Sequence, residues 1–149
     1  MRNGGRNGLL GLVLGALAVA ASGCSFSDTA PSTTQDFFKA LSEGDGNKAC
    51  SLIGPGGARV QVLGAMAQGP RQRAAADQGS CNEFARALSS RRRELFATVI
   101  ADPAPSSGGK TVNARFELDP KRPVVPYSVR LNKLNDAWKL VSINSGGPP

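Results

Sequence analysis

The 149-residue chain contains no histidine. That absence removes the commonest general base near neutral pH and the commonest metal ligand from any account of its chemistry. Aromatic residues make up only 5% of the chain, with Trp138 and Tyr127 each the sole example of its kind. The three cysteines, at 24, 50 and 81, include no C-x-x-C pair of the redox or zinc type. Phosphate loops are missing too. "GPGG" at 54–57 lacks the lysine and serine of such a loop, and "SSGGK" at 106–110 lacks the preceding strand and following helix. Acid is in short supply, with 11 Asp+Glu against 18 Lys+Arg. This basic excess is compatible with anionic headgroups or envelope polymers, but it has no nucleic-acid signature. No long hydrophobic run is present. The apolar stretch "LLGLVLGALAVAA" at 9–21 covers 13 residues, about 20 Å as a helix against a hydrocarbon core of about 30 Å.

What is present begins with that short run. It follows "MRNGGRNG", which carries Arg2 and Arg6 and no acid, and it leads into Ala20, Ala21, Ser22, Gly23 and Cys24. A basic segment, a short apolar core and small residues are the parts of a secretory signal peptide. The small residues before a cysteine resemble the lipobox of bacterial lipoproteins, with Ala21 where leucine is usual. The resemblance implies cleavage before Cys24, acylation of its sulfur and retention at the outer face of the cell membrane. Acyl chains contribute about 0.8 kcal/mol per buried CH₂, so two or more anchor permanently. The alternative is an ordinary secretory signal that leaves Cys24 a spare thiol. On the lipoprotein reading, residues 1–23 are leader and 24–32 an acylated cysteine with a polar tether. Residues 33–144 then form one domain and 145–149 a tail. With Arg2 and Arg6 set aside, sixteen cations face eleven acids.

In an exported protein Cys50 and Cys81 meet an oxidising compartment, where a lone pair of cysteines commonly forms a disulfide. "KACSLI" and "SCNEFARAL" both read as amphipathic helical segments. A bridge between them would close a loop of about 30 residues and contribute about 3–4 kcal/mol on the chain-entropy argument. Two separate buried thiols are the other reading.

Along the domain, Ser32 and Gln35 have capping-box spacing ahead of the stripe Phe37, Phe38, Ala40 and Leu41. Gly44 is placed to end that helix and Asp45 to cap a second one running through Ile53. "GARVQVLGAMAQ" fits helix better than strand. "GPGG" and "QGPRQRAAADQG", inside the loop that the bridge would close, are not expected to organise themselves by burial alone. Ser80 and Glu83 make another capping box, for a helix expected to end in Arg91, Arg92 and Arg93, where cations favour the C-terminal pole. From Glu94 the pattern turns to strands: "ELFATVIA", "KTVNARFEL", "VVPYSVRLNKL" and "AWKLVSI". Pro126 argues for an edge or a bulge. Helices followed by a four-stranded antiparallel meander place the chain in the α+β class.

The order "FFKALSEGDGNKAC", a cysteine-bearing helix pair and a sheet ending in "DAWKLVSI" resembles the NTF2-like cone fold, as found in small exported lipoproteins of actinobacteria. The resemblance spans about residues 33–144. It implies N-terminal helices packed on the concave face of a curved four-stranded antiparallel sheet, with a pocket between them. Phe37, Tyr127 and Trp138 are candidates to line that pocket. Relatives of the fold include isomerases that use a cavity carboxylate beside a tyrosine or second acid, alongside modules that only bind. No spacing pairs Tyr127 with Asp102, Glu117 or Asp119, so no catalytic residue, metal or cofactor is assigned. Tyr127 and Trp138 also read as ordinary core residues. Arg86, Arg91, Arg92 and Arg93 read either as a solvated helix end or as a basic patch for lipid phosphates or acidic polymers.

The expectation is therefore a membrane-anchored surface lipoprotein acting non-enzymatically as a binding or accessory module, its partner an apolar small molecule or an envelope protein. The rival readings are a pocket isomerase and a structural envelope adaptor without a cavity. Ligand and oligomeric state are not legible.

Overall fold

The computed structural model describes residues 29–103, 111–116 and 125–145. Thr29 opens the first helix. Its hydroxyl accepts from the Ser32 amide at 3.3 Å while the Ser32 hydroxyl accepts from the Thr29 amide at 3.2 Å, so two of the orphan donors are satisfied reciprocally. Helix α1 therefore spans Ala30–Glu43, with Pro31 in its first turn. It starts earlier than the expected cap at Ser32, and residues 30–32 belong to it rather than to a tether. Phe37, Phe38, Ala40 and Leu41 form its fully buried face. Gly44, at φ +79°, ends it in the left-handed conformation, and the Asp45 amide reaches back to the Ala40 carbonyl at 2.8 Å. Asp45 then caps α2 (Gly46–Ser51) by accepting from the Lys48 amide at 2.9 Å.

Four further helices follow: α3 (Ala58–Met66), α4 (Pro70–Asp77), α5 (Cys81–Ala87) and α6 (Ser90–Ala97). Two departures from expectation lie here. "PRQRAAAD" is helical, opened by Pro70 and resting on buried Ala75 and Ala76. The helix carrying Phe84 stops at Ala87, and Leu88 is extended at ψ 132°. Ser89 starts a new helix by accepting from the Arg92 amide at 3.3 Å. Arg91, Arg92 and Arg93 thus occupy the first turn of α6 and not the last turn of α5, so the helix dipole does not favour them. "ELFA", expected as strand, completes α6 because Phe96 is drawn into the core, its ring 5.5 Å from that of Phe38.

The strands are β1 (Ile100–Pro103), β2 (Thr111–Phe116), β3 (Val125–Leu134) and β4 (Ala137–Ser145), paired antiparallel in chain order. The class is α+β, but the expected curved four-stranded NTF2-like sheet with helices on its concave face is corrected. Helix α1 packs against β1, β2 and β4, and α3 packs against β4. Every strand residue of the described core (Val129, Leu131, Leu140 and Ile143) lies in β3 or β4. Among the described side chains of β1, Ala101 is half-buried against the core and Ile100 is exposed. β1 is shorter than the expected first strand because α6 takes residues 94–97 as helix.

Asn135 and Asp136, both at positive φ (48° and 63°), make the tight turn between β3 and β4. Arg130 pairs with Ser142 but Leu131 pairs with Leu140, leaving Val141 as the extra residue of a bulge. The bulge shifts the alternation, so Leu140 and Ile143, three residues apart, both face the core. It lies there and not at Pro126, which pairs with Arg115 inside the ladder. On its other side β4 meets the end of α2. The Leu140 amide donates to the Leu52 carbonyl at 2.9 Å, and the Gly54 amide donates to the Leu140 carbonyl at 2.8 Å. Among the described residues no helix is long and apolar enough to cross a membrane.

Candidate functional site

The residues singled out from sequence separate in three dimensions. Phe37 is fully buried in the core, edge-on to Phe38 at 5.3 Å. Trp138 is half-buried and packs on the same core. The side chains of Tyr127 and Asp102 lie outside the described residues, as do Glu117, Asp119 and Cys24.

The four arginines do not form one basic patch. Arg92 is buried at 6% exposure. Its Nη2 donates to the Met66 carbonyl at 3.0 Å, and its guanidinium lies 5.4 Å from the Phe96 ring centroid. Arg93 donates from Nη2 to the Ala85 carbonyl at 2.8 Å. Met66 ends α3 and Ala85 lies in the last turn of α5. The Arg92 guanidinium therefore supplies a donor to the last carbonyl of α3, and Arg93 adds a second donor to the Ala85 carbonyl, which also accepts from the Leu88 amide at 3.4 Å. Arg86 pairs with Glu83 on α5, Nη1 to Oε1 at 3.0 Å, both side chains exposed. Arg91 is exposed. The run is largely a structural latch.

Cys50 and Cys81 are bonded, with Cα atoms 5.6 Å apart. The bridge joins α2 to the start of α5 beside a second close contact. A Cβ on Gly46 would lie 2.5 Å from the Asn82 Cα, so only glycine lets α2 approach α5 this closely. Asn82 Nδ2 donates to Asn47 Oδ1 at 2.7 Å on the same seam. A groove of about 410 Å³ opens over this seam, lined by Asn47, Ser51, Arg59, Ser80 and Asn82 with the disulfide.

A second groove, of about 480 Å³, lies along the α4–α5 hairpin. Gly79, at φ +62°, closes the turn, and the Ser80 amide reaches back to the Ala75 carbonyl at 2.9 Å. Ser80 then caps α5, its hydroxyl accepting from the Glu83 amide at 3.3 Å. At the other end, buried Gln72 accepts from the Gln68 amide at 2.7 Å and donates to the Ala87 carbonyl at 3.3 Å. The start of α4 is thereby held against the end of α5. Ala74, Ala75 and Ala87 give the groove its apolar lining, and Arg71, Gln78 and Arg86 supply polar groups. Sequence reasoning missed this site because 68–79 carries too little apolar surface to be expected to organise itself by burial alone. The signal was Gly69–Pro70 before the segment and Gly79 after it, punctuation that starts and stops a helix.

No family model, curated protein or solved structure matches this chain. What its surface offers chemically must be read from its own side chains. Among the described residues no three of Asp, Glu and Cys gather as metal ligands. The grooves present hydrogen-bond donors, amides and guanidiniums rather than a nucleophile beside a base.

Proposed function

We propose that this protein is an exported lipoprotein, held through an acylated Cys24 at the outer face of the cell membrane, whose α+β body acts non-enzymatically as a binding or accessory module of the cell envelope. The observation that carries this reading is the disulfide between Cys50 and Cys81. Such a bond belongs to an oxidising compartment, which is where the basic, apolar and small-residue leader before Cys24 would deliver the chain. Among the described residues, the body starts with Thr29, the cap of α1. The five residues from Cys24 to Thr29 reach at most about 18 Å even when fully extended, so the anchored body would sit close to the headgroups. The basic balance suits that position. The binding role rests on the two grooves, one over the disulfide seam and one along the α4–α5 hairpin, lined by donors and small side chains.

Cell fractionation of the wild type and Cys24→Ser tests the anchor, with metabolic labelling by an alkyne-tagged fatty acid. The wild-type protein is expected in the membrane fraction, labelled and released by detergent. Cys24→Ser is expected unlabelled and outside that fraction. Membrane retention of an unlabelled wild-type protein would overturn the reading.

A further inference from the structure

We propose that the α4–α5 groove is a binding site for a small organic carboxylate with a compact apolar body. This deepens the binding-module reading and rests on it. Arg71 comes from the start of α4 and Arg86 from the end of α5, and Gln72, donating to Ala87, holds those two ends together. The two guanidiniums therefore line one concavity from opposite walls. Glu83 is the single acid in the lining, so the groove keeps a net positive charge. Glu83 engages only Nη1 of Arg86, and a guanidinium has five N–H donors. Arg71 has no ion-pair partner among the described residues. A planar guanidinium fork matches a carboxylate in bidentate geometry, and a second guanidinium adds to it.

The rest of the lining narrows the class. Ala74, Ala75 and Ala87 present methyl groups where the non-ionic part of a ligand would lie, and Gln78 adds one amide. No aromatic side chain lines the groove, so it lacks the stacking surface that a nucleobase uses. A volume of about 480 Å³ suits a small molecule. The frame is stiff on both sides, with buried Gln72 at one end and the Cys50–Cys81 bridge at the start of α5.

The test is a titration of the full-length protein with benzoate, followed by NMR of the Ala74, Ala75 and Ala87 amides and of the Arg71 and Arg86 guanidinium resonances. Saturable shifts are expected at these positions. Neutral benzamide should bind at least about tenfold more weakly, as loss of a charge-assisted pair predicts. Arg71→Gln and Arg86→Gln should each weaken benzoate by at least about fivefold. Arg73→Gln removes the same charge from the same helix but outside the groove lining, and should bind like the wild type. Absence of saturable shifts, equal binding of benzamide, or equal weakening by Arg73→Gln would overturn the site. Inorganic phosphate binding as tightly as benzoate would overturn the carboxylate assignment. If the groove fails while attachment still depends on Cys24, the ligand is refuted and the anchored-module reading stands.

Discussion

Arg92 Nη2 donates to the carbonyl oxygen of Met66 at 3.0 Å, joining the first turn of α6 to the last residue of α3 across 26 positions of sequence. The guanidinium is buried and stacks near Phe96, so one side chain closes a helix end and fills the core beside it.

Truncation there leaves the Met66 carbonyl without that donor and opens a void against Phe96. Arg92→Ala is therefore expected to cost about 2–4 kcal/mol. Arg86→Ala breaks only an exposed pair with Glu83 and should cost less than about 1 kcal/mol. Urea unfolding of the two variants checks the contrast, and similar midpoints would show that Arg92 is not a latch.

Two glycines should respond in opposite directions to the same change. A Cβ at Gly46 meets the Asn82 backbone at 2.5 Å, whereas a Cβ at Gly64 in α3 meets nothing within 4 Å. Gly46→Ala should wedge α2 from α5 and destabilise by about 2–3 kcal/mol. Gly64→Ala should stabilise by about 0.5–1 kcal/mol through helix propensity and a less free unfolded chain. Thermal melts read both signs directly.

The Cys50–Cys81 bridge spans a sequence separation of 31. Loop-closure entropy at that length predicts a loss of about 3–4 kcal/mol in the Cys50→Ala, Cys81→Ala double variant. Thiol counting on the unfolded, unreduced wild type should find neither cysteine reactive, and titration of both would refute the bridge. Part of the lost stability should reappear as weaker protection of the α4–α5 hairpin in hydrogen exchange, because the bridge ties the start of α5 to α2.

Much of the local structure is legible in the sequence because its causes are local. Gly44, Asp45 and Ser80 act within four residues of themselves, and each stops or starts the helix its residue type suggests. The cysteine pair is similarly apparent. The boundary between α5 and α6 is not, because no glycine or proline marks it and Leu88 simply turns extended. "ELFATVIA" misleads for a related reason. Its strand-favouring residues are overridden when Phe96 gains burial against Phe38. The first strand is shorter than its residue types suggest in consequence.

By itself, the amino-acid order supplies a basic and apolar start, small residues ahead of Cys24, two further cysteines, and helices preceding strands. These depend on composition, period and short-range capping. Tertiary structure alone decided that Arg92 and Arg93 point at the ends of α3 and α5, that Val141 bulges so Leu140 and Ile143 share a face, and that Arg71 and Arg86 line one groove. The physical reason is range. A cap finds its partner within one turn, but a guanidinium takes whichever carbonyl the packed core brings to it.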